Sequence, residues 1–276
     1  MFRKTLFKIA FYALVGLIAA FALIPFLWAI ATSFKTEAAI YSTSTSFIPR
    51  PFTFANYIEI LNNSAMVSYF MNTVVVSVAT TIVSLVIAVL GAYGFSRFKF
   101  PGHGTLLMSI LFTRMLPRVA LLVPFYVTLT GMGMINTKTG LVLVYVIIGM
   151  PVAIWLLKGF IDALPYEVEE AAIVDGCGPL GVLFRVVIPQ LAPALAAVGM
   201  YTFILAWNEF LFPLMIAKDS STRPISVALA FFIDEVSVKW GPMMAASVMM
   251  SIPAIIVFSF AQKYIVKGLS DGAVKG

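Results

Sequence analysis

One cysteine, one histidine and twelve acidic side chains are all that a chain of 276 residues carries of these types. A lone Cys177 excludes an internal disulfide and reads as a small packing residue. A lone His103, with no second histidine or cysteine at ligand spacing, excludes the common zinc clusters and reads as a loop residue. No G-x-x-x-x-G-K-[ST] run occurs, so the usual backbone cradle for ATP phosphates is missing. Paired carboxylates and a nucleophile beside its base are missing too, which argues against an enzyme. Long polar intervals are equally scarce. Charged residues make up 11% and hydrophobic ones 61%, with a mean hydropathy of +1.02. That balance excludes an ordinary soluble domain and predicts one helical membrane domain spanning residues 1–276.

Acidic residues are outnumbered by 18 lysines and arginines, giving a net charge of +6. The basic residues flank apolar runs instead of gathering on one polar face, so they speak for membrane orientation and against nucleic acid as a partner. The first apolar run, about Ile9 to Ala31, outlasts the roughly 7–15 residues of a signal core and precedes no small-x-small site; it predicts an uncleaved first membrane helix.

The apolar runs predict six membrane helices at about 9–32, 69–94, 105–129, 141–160, 190–217 and 242–264, with a cytoplasmic helix between the fourth and fifth. Pro25 falls inside the first. The segment from Ser33 to about Asn63, with Phe47-Ile-Pro-Arg-Pro-Phe-Thr-Phe, is too rich in proline and hydroxyl groups to span, and its aromatics suit the membrane interface. On the second helix Thr73, Ser77, Thr80, Thr81 and Ser84 form one hydroxyl-bearing stripe, read as a helix–helix seam. Six crossings place both termini on one side. That side holds Arg3, Lys4, Lys8, Arg97, Lys99, Lys158, Arg185, Lys263, Lys267 and Lys275, ten in all; the other holds Lys35, Arg50, Lys138, Lys218, Arg223 and Lys239, six in all. The excess predicts cytoplasmic termini, a cytoplasmic loop at about 162–189 and a cytoplasmic tail at about 265–276.

Four of the twelve acidic residues, Glu167, Glu169, Glu170 and Asp175, crowd into that loop. Pro165 suits a helix start, the glutamates complement the positive end of the helix dipole, and Asp175-Gly176 supplies a stop. The spacing predicts a short helix of about three turns, with Ala171 and Ala172 leaving room for another backbone to come close. Within the membrane, Arg114 and Arg118 stand one turn apart on the third helix, with Pro117 between them. Charges at that depth need a partner or water. Glu209 on the fifth helix is within reach of Arg118, and Tyr201, Trp207 and Asn208 add hydrogen-bonding groups and an aromatic face nearby in the sequence. The pair reads equally well as a structural brace or as the lining of a path.

The loop runs Glu170-Ala171-Ala172-x-x-x-Gly176 and, nine residues on, Val186-x-Ile188-Pro189. This resembles the E-A-A-x-x-x-G…I-x-L-P signature of the permease subunits of ATP-binding-cassette importers, with Val186 for Ile and Ile188 for Leu as mild departures. Met115-Leu-Pro, Val123-Pro-Phe-Tyr, Trp207-Asn-Glu-Phe-Leu-Phe-Pro, Trp240-Gly-Pro and the end from Gly268 to Gly276 are similar to the second permease of maltose-type sugar importers. The resemblance implies a prokaryotic inner or plasma membrane protein, paired with a sister permease, two cytoplasmic ATPase subunits and an extracytoplasmic substrate-binding protein. ATP and magnesium would sit on the ATPase, and no cofactor on this chain. The acidic helix would be the coupling helix, with Glu170 meeting a basic group of the ATPase, Ala171 and Ala172 allowing close approach and Gly176 turning the chain. Glu167 and Asp175 complete that coupling set; Arg114, Arg118, Tyr201, Asn208 and Glu209 make up the expected translocation path. A di- or oligosaccharide is the expected cargo, with a polyol or a glycerophosphate-type compound as the variant. The competing class, an ion-coupled secondary transporter, would show inverted halves and helices broken at matching places; no such repeat is visible.

Overall fold

The computed structural model describes residues 2–43, 46–233 and 238–273, and these form helices with no strands beyond two isolated bridges, Lys35–Phe52 and Ile233–Val238. In chain order they are α1 (Phe2–Ser33), α2 (Glu37–Ile40), α3 (Ala55–Asn62), α4 (Ser64–Arg97), α5 (His103–Phe112), α6 (Leu122–Gly131) and α7 (Lys138–Asp162). They continue with α8 (Tyr166–Val174), α9 (Pro179–Val182), α10 (Ile188–Gln190), α11 (Ala192–Trp207), α12 (Leu211–Ile216), α13 (Ile225–Ala228) and α14 (Trp240–Ala273). Among the described residues four of these are long and apolar enough to cross a bilayer: α1 over Phe7–Ser33, α4, α7, and α14 over Trp240–Lys263. The count is six if each of two bent pairs is taken as one span.

The first bent pair departs from the unbroken helix predicted at 105–129, whereas the second bends at Leu191, at the predicted start of the helix at 190–217. His103–Met115 and Arg118–Gly131 meet at 101°, and Pro179–Gln190 and Ala192–Trp207 at 81°. Pro117 explains the first break. It donates no backbone hydrogen bond, and it pushes the residue before it out of the helical region; Leu116 is extended, with φ −69° and ψ 133°. Arg114 and Arg118 therefore stand on either side of a corner and do not share one helix face. The second span also ends early, at Trp207, so Asn208 and Glu209 lie in a gap before α12. At the carboxyl end α14 runs on to Ala273 where a tail was expected from about 265. Residues 274–276 of that tail lie outside the described residues.

The chain divides into two compact units. One comprises residues 1–67 and 228–252. In it the predicted interfacial segment folds as α2 and α3 around a ring cluster in which Phe34 stacks on Phe52 at 4.8 Å and meets Tyr57 at 5.0 Å. The Asn56 side chain donates to the carbonyls of Ser33 (2.8 Å) and Lys35 (2.9 Å), satisfying acceptors at the end of α1.

The other unit comprises residues 68–227 and 253–276. Its frame is α4, α7 and α11. Apolar side chains gain little from leaving lipid for protein, so membrane helices associate by close packing and polar contacts. The residues at the contacts are accordingly small. A Cβ at Gly91 would meet Ile154 at 3.2 Å, and one at Gly199 would meet Leu85 at 3.3 Å, so α4 lies close to α7 at the first and to α11 at the second. Thr73, Ser77, Thr80 and Ser84 are buried and Thr81 is half-buried, so the hydroxyl stripe lies along a seam inside this unit. Two cores follow along the frame. One joins Val76, Leu129, Tyr145, Ile148, Ala206 and Phe212; the other joins Ala92, Ala153, Leu157, Ile161, Leu183 and Val198. Outside the spans, Asp219 accepts hydrogen bonds from Ser221 and Asn136, which hold its carboxyl below the usual carboxylate range.

Gly140 opens α7 where Thr137 caps it, its N–H donating to the Thr137 hydroxyl at 3.0 Å. A Cβ there would run into the Met134 carbonyl oxygen. Gly140→Ala is therefore expected to destabilise the purified protein by about 1–3 kcal/mol, read as a lower unfolding midpoint in detergent. Gly149→Ala, whose methyl would meet Thr202 and Leu205 only at 4.0 Å, should leave the midpoint unchanged. Equal midpoints for the two variants would contradict this packing.

Candidate functional site

Two places in the larger unit gather the predicted site residues. The first is the loop around α8. Pro165 stands just before the helix and Asp175 closes it, so the predicted start and stop are within a residue of those seen. Gly176 takes a left-handed φ of +87°, the conformation that turns the chain and that a side chain would strain. The nine residues rise about 13 Å. Glu167, Glu170, Ala171 and Val174 recur at helical spacing and are exposed, Val174 at 86%; Ile173 beside them is 52% exposed. They form an acidic-and-apolar face on α8, and Leu180 and Phe184 of the following segment are exposed as well. Ala172 differs from expectation. It is partly buried against the chain's own core with Leu164 and Cys177, so Ala171 alone of the pair faces outward. Cys177 is half-buried in that same packing, as a small filler.

The acidic residue that carries structure here is Glu169, 2% exposed and the one fully buried side chain on α8. Its Oε1 accepts from Arg97 Nε at 2.7 Å, and Oε2 accepts from the Tyr93 hydroxyl at 3.3 Å. Read from sequence, Arg97 is a loop-flanking positive charge and Glu169 one of four clustered acids; their pairing was missed. A signal was present. Glu169 lies three residues before Ala172 and opposite the Glu167–Glu170–Val174 face, which puts it on the inward side of an amphipathic turn.

The second place is the corner between α5 and α6. A cavity of about 300 Å³ opens there, lined by Thr113, Arg114, Leu116, Arg118, Phe125 and Ile148 among others. The Arg118 guanidinium lies 3.0 Å from Glu209 Oε2; Glu209 is buried, whereas Arg118 is 46% exposed. Glu209 Oε1 also accepts from the Leu211 N–H at 3.1 Å, at the start of α12, where the helix dipole favours a negative charge. Arg114 donates to the Ile148 carbonyl and to the Tyr201 hydroxyl, each at 3.1 Å. Four of the five predicted path residues are thus brought together. The fifth, Asn208, is exposed but donates back to the Ile204 carbonyl at 3.0 Å, in the last turn of α11. Trp207 offers no face to a ligand: it is 1% exposed and stacks on Phe203 at 5.3 Å.

Apolar spans, a corner lined by arginine and an exposed helix between the fourth and fifth spans are features of a polytopic membrane protein. The match is explicit in sequence. Residues 84–271 fit the family described as "Binding-protein-dependent transport system inner membrane component", and the chain belongs to that family. It is 33% identical to the inner membrane ABC transporter permease protein YcjP of Escherichia coli, over 99% of each chain. It is 32% identical to the trehalose/maltose transport system permease protein MalG of Thermococcus litoralis, over 94% of each. Its structure superposes with a TM-score of 0.81 on a chain of a bacterial ABC transporter involved in import of the acidic polysaccharide alginate, at 26% identity over 95% of this chain and 97% of that one.

The two partners of the cavity ion pair are unequally exposed, so their removal should differ. Arg118→Met leaves a buried carboxylate without its cation and is expected to cost about 2 kcal/mol, with a matching fall in the unfolding midpoint in detergent. Glu209→Gln leaves behind only a guanidinium open to the cavity and should cost clearly less. The reverse order would show that the burial of Glu209 does not control the pair.

Proposed function

We propose that this chain is the translocating subunit of an ATP-driven sugar importer, and that α8 is the element on which a separate cytoplasmic ATPase acts. The observation that carries the reading is α8 itself: a short helix outside the spans whose outward face, Glu167, Glu170, Ala171, Ile173 and Val174, is exposed while its inward face is tied to the core. An exposed apolar patch rimmed by charge marks a protein-binding surface. Glu170 then meets a basic group of the ATPase, Asp175 and Gly176 end and turn the helix, and movement passes to the spans as a rigid-body shift. The excess of lysine and arginine, ten against six, supports cytoplasmic termini and a cytoplasmic α8. In this reading residues 1–276 act as one permease domain that catalyses nothing, binds no cofactor, and works in the cell membrane with a sister permease, two ATPase subunits and an extracytoplasmic binding protein. The family's own description, binding-protein-dependent transport, supports the last of these.

The cavity at the α5–α6 corner is the part of the path this chain contributes, with Arg114 and Arg118 in its wall, Tyr201 and Glu209 bonded to those arginines, and Asn208 beside Glu209 in the chain. Glu209 neutralises Arg118, which favours an uncharged di- or oligosaccharide of the kind the MalG relative is named for. A polyol would suit the same wall. The second reading, a glycerophosphate-type anion, is supported by Arg114, which donates to a carbonyl and a hydroxyl and so keeps its positive charge unneutralised by them.

Val174→Asp and Glu170→Lys are expected to leave the chain in the membrane at normal abundance while lowering ATPase-subunit recovery on co-purification, and sugar uptake with it, by about tenfold, the scale of an interface contact worth roughly 1.4 kcal/mol. Full recovery and uptake in both variants would rule out α8 as the docking element. Stimulation of ATP hydrolysis in the reconstituted importer by neutral sugars and not by glycerophosphate compounds, each supplied with the cognate binding protein, distinguishes the two cargo classes.

A further inference from the structure

Three helices converge on one guanidinium. Arg97 is the last residue of α4. Its Nη2 donates to the carbonyl of Ile161 at 2.8 Å, in the last turn of α7, where a cation also meets the negative end of the helix dipole. Its Nε and Nη2 both reach Glu169 Oε1 on α8 at 2.7 Å, and its Nη1 donates to Ser96 Oγ at 3.0 Å. Ser96 in turn donates to Asp162 Oδ1 at 2.6 Å, and Lys158 reaches Asp162 Oδ2 at the same distance. The ring of Tyr166 lies 5.6 Å from the guanidinium carbon. The arginine side chain is 12% exposed and the glutamate 3%, so this is a largely dry pair with its donors and acceptors taken up.

The connections of α8 to its neighbours differ in kind. The chain itself carries it from α7 through residues 163–165 and into α9 through residues 175–178. To α4 it is held by Glu169, which accepts from both Arg97 and Tyr93 of that helix. Between packed helices that touch through alanine and glycine, apolar contact permits sliding. A buried, hydrogen-bonded ion pair does not, because separating it strands a charge.

We infer that the Arg97–Glu169 pair is the positioning link that makes α4 move with α8, so that displacement of α8 reaches the hydroxyl seam of α4 and not only the helices adjacent to it in the chain. This rests on the reading of α8 as the ATPase-driven element. Neither residue touches cargo or nucleotide; both act through the helices they join.

The test uses the full importer in proteoliposomes, with sister permease, ATPase subunits and binding protein. Glu169→Gln keeps the side-chain shape and removes the charge. Arg97→Met with Glu169→Leu removes both charges and avoids stranding either one. Both forms are expected to assemble and to hydrolyse ATP within about twofold of the unaltered complex, while sugar taken up per ATP falls about tenfold, the scale of losing one charge-assisted hydrogen bond. Unchanged uptake per ATP in Glu169→Gln overturns the link. So does recovery of normal coupling in the double variant, which would make the pair a matter of folding alone. Failure of either variant to bind the ATPase also overturns it, since the pair would then shape the docking surface instead of transmitting from it. If the unaltered complex neither binds nor stimulates an ATPase, the reading of α8 fails, and the two failures are thereby distinguished.

Discussion

The larger unit depends on how closely α4 can approach α7 and α11. In lipid there is little hydrophobic gain from helix contact, so association relies on dispersion at short range and on the few polar groups that find partners. Gly91, Gly199 and the alanines at 88, 92, 153 and 194 bring the backbones near enough for that. Side chains that would be isolated polar liabilities in lipid, such as Thr73, become useful on the same surface: its hydroxyl accepts from the Ile225 N–H at 2.8 Å and donates to the Tyr69 carbonyl. The frame is tight because its contact residues are small, and the remaining elements are placed by where they join it.

Breaks in the spans follow from that frame. A backbone interruption in a bilayer is tolerated only where protein or a water-filled cavity can satisfy the freed groups. At the α5–α6 corner the interruption opens onto the cavity, and the Ile148 carbonyl on α7 accepts from Arg114. At the end of α11 the gap is closed by Glu209, whose carboxylate takes up the first free N–H of α12 and whose carbonyl accepts from the Ser226 hydroxyl at 2.7 Å. One side chain thus serves as helix cap and as counter-ion to Arg118. Its burial is a consequence of both duties.

Much of this was legible in the sequence. The apolar runs located the spans, Asp175-Gly176 located the end of α8, and the hydroxyl spacing on α4 identified a seam before any partner helix was known. Reach alone allowed Arg118 to be matched with Glu209, since two opposite charges at membrane depth have few other stable arrangements. What was not legible has a common cause. Hydropathy averages over a window, so it reads through a proline corner that costs one or two residues, as at Pro117, and through a gap at Asn208–Glu209. The Arg97–Glu169 pair was hidden by a different effect: both residues sit in polar surroundings, where a charge is normally solvated, and only the face of α8 on which Glu169 falls distinguishes it from Glu167 and Glu170.

The two ion pairs lie toward different ends of the same frame and differ in what surrounds them. Arg118 and Glu209 meet at the cavity, with the cation half open to it, so a ligand or water can compete for the arginine at modest cost. Arg97 and Glu169 meet where α4, α7 and α8 end or begin, with both partners closed off and further bonded to Ser96, Tyr93 and the Ile161 carbonyl. Such a pair cannot be traded for solvent without stranding a charge, whereas the first can be opened and closed. The two pairs use the same chemistry, one arginine and one glutamate, and a difference in burial makes one fixed and the other exchangeable.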